Sequence, residues 1–380
     1  MSEKTSGISF TSTEYLMLIA GTPVLQFMEF IFLKGWDPNV RPEKNFTPYL
    51  YIVCFLFIVF KSRYEIKQIA LLILFATCVI FYPSKSLANN ASYLINVFVS
   101  CSLLLYLRDN PYIILTRPHY RQITLLAVVV VGMFYLFSTE VLLEGRFYLS
   151  GFVIPHQFAY YCASFAFLFL YSNRLLSAIC VSLAGIYVGA RSGLLATLIP
   201  YCYYVMRNLQ DSKLKLLRYS FVALILGLMV AVTVDASLFE RLESTVDNTF
   251  NFQNKSTDEY SESRTIIWFN MFQEIEADGL SWSNIIGRGP YASINFNYSR
   301  TGLEIWMHND IFDLLFNLGV LGVMLYIYCF FKYLQRSDIY SILFFLIMIV
   351  TNGFFTYSPV TMILLHYLAI SHRYKRMKII

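Results

Sequence analysis

The stretch Met307-His308-Asn309-Asp310-Ile311-Phe312-Asp313-Leu314-Leu315-Phe316-Asn317-Leu318-Gly319-Val320-Leu321-Gly322, which stays apolar through Phe331, decides the class of this chain. From Asp310 onward the run has the length of a membrane-crossing helix, since about twenty residues at ~1.5 Å each traverse a hydrocarbon core of about 30 Å. Ahead of it lies a polar island, residues 235–306, in a chain otherwise built of one hydrophobic run after another. A histidine where such an island meets a span is matched to proton transfer, and is equally suited to satisfying a helix N-terminus.

The composition agrees with the span. Of 380 residues 57% are hydrophobic, 18% aromatic and 14% charged, and the mean hydropathy is +0.55. A soluble globular domain of this length does not carry that balance. An all-α, polytopic membrane protein is expected, with windows at 13–33, 47–60, 68–82, 90–106, 123–138, 152–171, 175–188, 192–206, 216–234, 310–331, 339–355 and 359–370. That is about twelve helices, with a range of about ten to thirteen because several windows are short. The expected organisation is a transmembrane bundle over 1–235, a large extracytoplasmic loop with amphipathic helices over 236–308, and further spans with a basic tail over 309–380.

Orientation follows from basic residues. With both termini in the cytoplasm, the inner loops collect Lys61, Arg63, Lys67, Arg108, Arg117, Arg121, Arg174, Arg207, Lys213, Lys215, Arg218, Lys332 and Arg336. The short outer loops hold Lys34, Arg41, Lys44, Lys85, Arg146 and Arg191. This excess puts the island outside the cytoplasm. Residues 1–7 lead into an apolar stretch too long for a signal-peptide core, so the N-terminus is expected to be retained. The net charge of +5 is spread over loops, not gathered into a stripe, and no nucleic-acid partner is expected. All seven cysteines lie inside apolar segments without a Cys-x-x-Cys pair, which suits packing better than redox or metal chemistry.

Five places carry polar groups suited to chemistry. Arg191 sits in Gly189-Ala190-Arg191-Ser192-Gly193, between two spans, where a guanidinium either snorkels to headgroups or binds an anion. Residues 264–277 have the spacing of an amphipathic helix that lies on the membrane domain. Arg264 stands in its first turn, where a cation opposes the helix dipole at a cost of a few tenths of a kcal/mol unless an anion binds nearby. Gly287-Arg288-Gly289-Pro290 reads as a turn and, more weakly, as a phosphate loop. Pro155-His156-Gln157 opens another span from the outer side, where polar residues entering a bilayer usually line a cavity. His308 with Asn309, Asp310 and Asp313 lacks the second histidine of a usual metal set, so no metal or other cofactor is expected.

Together these segments resemble the bacterial O-antigen polymerase and O-antigen ligase superfamily, membrane glycosyltransferases of the GT-C type. Gly189-Ala190-Arg191-Ser192-Gly193-Leu194-Leu195 is similar to the family's span entrance. Ser263-Arg264 with Trp268 is similar to the opening of its main periplasmic helix. His308-Asn309 with Leu318-Gly319 and Leu321-Gly322 is similar to its loop-closing motif. The resemblance covers about 150–325. One departure is His156, where asparagine is usual.

The resemblance implies an inner-membrane enzyme of lipopolysaccharide and polysaccharide biosynthesis, with its site facing the periplasm. Arg191 and Arg264 would hold the diphosphate of an undecaprenyl-linked glycan and His308 would activate the acceptor hydroxyl, while His156, Arg288, Arg300, Asn309 and Asp310 are candidates for cavity or acceptor contacts. The expected partners are lipid-linked oligosaccharides as donor and acceptor, membrane lipids and a chain-length regulator. The motifs do not separate polymerase from ligase, and the aromatic-rich, divergent sequence favours the polymerase branch. A flippase for lipid-linked oligosaccharide remains the alternative from another class.

Overall fold

The computed structural model describes residues 23–37, 93, 97, 117–143, 146–171, 174–190, 193, 196–202, 204, 264–301, 306–334, 346 and 349. The expected spans at 47–60, 68–82, 216–234 and 359–370 lie outside the described residues, as do most of 90–106 and 339–355 and parts of 13–33 and 192–206. Among the described residues the chain is mostly helical. Helix α1 (Pro23–Phe32) is followed in sequence by α2 (Arg117–Leu136), strands β1 (Thr139–Leu143) and β2 (Arg146–Ser150), α3 (Pro155–Tyr171) and α4 (Leu175–Tyr187). The region of the island contributes α5 (Arg264–Asp278), α6 (Trp282–Ile286) and α7 (Ala292–Thr301). Helix α8 (Asp310–Leu334) follows.

The expectation of an all-α chain needs one correction. β1 and β2 form an antiparallel hairpin in register Thr139↔Ser150 to Leu143↔Arg146. Val141, Phe147 and Tyr148 are β-formers in a connection whose backbone groups pair across the hairpin. The Leu149 N–H also donates to the Val188 carbonyl at 3.3 Å, which joins the hairpin to the end of α4.

Helices α3 and α4 pack closely because small residues face each other. A Cβ on Gly185 of α4 would overlap the Cys162 side chain of α3, and beyond α4 one on Gly193 would overlap Ala159. Helix α3 is buried over most of its length, with Phe158, Ala159, Tyr160, Tyr161, Ala163 and Ala166 all at 0% exposure. Phe158 stacks on Phe134 of α2 with ring centroids 3.7 Å apart. Between α1 and α3 the contact is polar: Gln26 Nε2 donates to Gln157 Oε1 at 3.0 Å, and the Tyr161 hydroxyl donates to Gln26 Oε1 at 2.7 Å.

Among the described residues one helix, Asp310–Tyr328, is long and apolar enough to cross a membrane. It is broken at Gly319, whose φ of 67° and ψ of −169° are non-helical. Glycine populates this region without the steric penalty of a side chain. The break releases carbonyls from the helix ladder, and the turn after α6 takes them up. Arg288 N–H donates to the Phe316 carbonyl at 3.1 Å and Gly289 N–H to that of Asn317 at 2.9 Å. Gly287 and Gly319 interlock here, since a Cβ on Gly287 would overlap the Asn317 carbonyl and one on Gly319 would overlap Gly287 N and Ile285 O.

Candidate active site

His308 stands at the threshold of α8 in a left-handed conformation, φ 54°, and is half-buried. That backbone region costs about 1–3 kcal/mol for a non-glycine residue unless its surroundings hold it. Three side chains do so. Trp268 Nε1 donates to the Met307 carbonyl at 2.6 Å, and Asp313 Oδ1 accepts from the Met307 N–H at 3.2 Å. On the other side of the histidine, Asn309 caps α8, its Oδ1 accepting from Ile311 N at 3.0 Å and Phe312 N at 3.3 Å. Asp310 and Asp313 in the first turn complement the positive end of the helix dipole.

Trp268 belongs to α5, and the rest of that helix explains why the bond forms. Ile267 and Met271 are buried with Met307 and Phe316 in one apolar cluster. Each fully buried side chain of this size contributes about 1.5–3 kcal/mol. The Trp268 ring meets Phe312 edge-on at 5.1 Å, and Phe272 meets the Phe312 ring at 5.2 Å. A helix is therefore present where one was expected over 264–277, and Ile267, Trp268 and Met271 rest on the start of α8, while Ile266 and Phe269 are exposed. Arg264 is the first residue of α5, four positions or about 6 Å along the axis before Trp268.

Beneath His308 a buried polar group supports α8. Asn317, at 0% exposure, accepts from the Ser293 N–H at 2.8 Å. Its Nδ2 donates to Ser293 Oγ at 3.1 Å and to the Tyr93 hydroxyl at 3.2 Å. Tyr93 stacks on Trp306 at 5.9 Å, so the residue that enters the threshold is held as well. In a span, buried polar side chains persist where they are paired. Sequence reasoning named Asp313 and Asn317 only as neighbours of the histidine. Their spacing of four residues on an otherwise apolar helix was the available signal, but their partners are distant in sequence.

Residues 176–327 match the family model described as O-antigen ligase. The match is consistent with the O-antigen polymerase and ligase superfamily. No curated protein matches the sequence. The O-antigen ligase match runs from the start of α4 into α8 and takes in Arg191, Arg264, Arg288, Arg300, His308, Asn309 and Asp310. The family is one of membrane proteins, in keeping with the apolar span of α8.

Within and beside the O-antigen ligase domain, the structure sorts the expected site residues. Arg191 and the Arg264 side chain lie outside the described residues, as does Ser263. His308, Asn309 and Asp310 are adjacent at the threshold, with Asn309 and Asp310 buried. Arg288 is engaged by its own loop: its guanidinium donates to Asp278 Oδ2 at 2.6 Å and Asn284 Oδ1 at 3.0 Å, and lies 4.4 Å over the Phe316 ring. The amides of Arg288 and Gly289 are spent on α8, so Gly287-Arg288-Gly289 is turn chemistry and not a phosphate cradle. Arg300 is exposed and pairs with Glu274 at 3.5 Å. His156 is half-buried in the first turn of α3. Its neighbour Gln157, expected to line a cavity, instead ties α3 to α1.

Proposed function

We propose that this protein is an inverting, metal-independent glycosyltransferase that polymerises a surface polysaccharide on the periplasmic side of the bacterial inner membrane. It transfers a glycan from undecaprenyl diphosphate to the non-reducing end of another lipid-linked repeat unit. The observation that carries this reading is the Trp268 to Met307 bond. It ties the helix that begins with Arg264 to the peptide bearing His308, so a phosphate ligand and a proton acceptor are held to one frame. The O-antigen ligase match supports the reaction class.

On this reading the acceptor oxygen attacks the anomeric carbon as the bond to the diphosphate oxygen breaks. The neutral imidazole of His308 takes the acceptor proton, a contribution of about a hundredfold to ten-thousandfold. Undecaprenyl diphosphate leaves with the bonding electrons, and Arg191 and Arg264 meet its growing charge, since guanidiniums chelate phosphate oxygens bidentately. Single displacement inverts the anomeric centre. Asn309 and Asp310 hold the threshold turn, and the island over 236–308 acts as a lid on the site.

The test is incubation of the purified protein with a lipid-linked repeat unit. A ladder of products is expected. Unextended substrate together with glycosylated lipid A core would make the enzyme a ligase instead.

A further inference from the structure

Residues 278–289 pair many of their polar groups with one another and carry large apolar side chains outward. Asp278 is bonded to Arg288 and to the Ser283 hydroxyl at 3.0 Å. Ser281 and Ser283 share a hydrogen bond of 2.7 Å. Asn284 Nδ2 donates to the carbonyls of Ile275 at 2.8 Å and Gly279 at 2.6 Å. The amides of Arg288 and Gly289 are spent on the broken helix. In contrast, Leu280 is 102% exposed, Trp282 74% and Ile285 37%. A water-facing loop shows the reverse pattern, with polar groups outward.

The position of the loop says what covers these side chains. The Ile285 main chain lies against Gly319 of α8, the helix that is long and apolar enough to cross a membrane. Just past that contact, α8 presents an exposed apolar stripe at helical spacing, made of Val320, Met324, Ile327 and Phe331. Helix α6, which carries Trp282 and Ile285, packs against α8. Irregular backbone is tolerated at membrane depth where its polar groups are paired within the protein, as the amides of Asn284, Ile285, Arg288 and Gly289 are. Tryptophan is the side chain favoured where lipid meets the polar boundary.

We propose that residues 280–285 are seated in lipid, in the leaflet where α8 begins, with Leu280 and Trp282 as the anchoring side chains. The occupant of this face is the bilayer itself, continuous with the lipid along the α8 stripe. The inference is independent of the chemistry proposed above.

The full-length protein in lipid nanodiscs tests it, through the fluorescence difference between the native chain and Trp282→Phe. In nanodiscs of brominated phosphatidylcholine this difference signal should fall by at least about half, while aqueous iodide leaves it unchanged. Quenching by iodide without quenching by bromolipid would overturn the proposal, because water would then cover the face. Quenching by neither would overturn it too, because protein would cover it. Leu280→Trp adds a reporter at the most exposed position and should repeat the pattern, so the test stands even where Trp282→Phe folds poorly.

Discussion

Trp268 and Met307 are joined by a hydrogen bond of 2.6 Å from the indole Nε1 to the main-chain carbonyl, across 39 residues of sequence. The same residue, Met307, gives its N–H to Asp313. The segment entering His308 is thus held from two sides, by a helix of the island and by the helix that follows. This is what lets a histidine keep a left-handed backbone next to a helix start.

Trp268→Phe removes the donor and keeps an aromatic ring against Phe312. The net loss of stability should be about 1 kcal/mol, the usual scale for one hydrogen bond. Glycosyl transfer should fall further, by about tenfold or more, because His308 then loses its placement. Thermal unfolding and product ladders measured side by side check this, and equal small effects on both would make the bond merely structural.

Asp313→Asn keeps a side-chain oxygen able to accept from the Met307 N–H, whereas Asp313→Ala does not. Product formation should survive in the first and drop at least about tenfold in the second. Similar activity in the two variants would show that the bond to Met307 is dispensable.

His308→Ala should abolish polymer and leave affinity for the diphosphate lipid unchanged. Arg191→Ala and Arg264→Ala should weaken that affinity, each by about tenfold or more, as expected when a charge-assisted contact is lost. Binding of labelled donor lipid to the purified variants separates the two classes. Full-length polymer from His308→Ala would remove the histidine from the chemistry.

Gly319→Ala should destabilise the protein by at least about 2 kcal/mol, since a side chain at φ 67° is strained and its Cβ overlaps the backbone of Gly287 and Ile285. Gly132→Ala is the contrast. It lies within α2 with nothing within 4 Å of an added Cβ, so stability should hold or rise by about 0.5 kcal/mol. Unfolding midpoints of the two variants check the difference, and equal midpoints would mean that the break in α8 is not strained.

Much of the fold was legible because membrane spans and amphipathic helices are written in local patterns. The apolar runs at 123–138, 152–171, 175–188 and 310–331 correspond to α2, α3, α4 and α8, with ends shifted by a few residues. The α5 helix begins at the expected residue. The hairpin at 139–150 was missed because it sits between two apolar runs and shows no turn dipeptide of the Asn-Gly kind.

The site divides the same way. Sequence by itself determined which residues carry charge and titratable groups, their order, and the match of residues 176–327 to the O-antigen ligase model. These are sums over neighbouring residues or matches along the chain, and they need no third dimension. Only the tertiary structure decided that Arg288 serves its own loop and that Gln157 binds a neighbouring helix. It also decided that Asn317 braces α7 and that Trp268 reaches Met307. Each is a short-range bond between residues distant in sequence, and its formation depends on how whole helices pack, which no local pattern encodes.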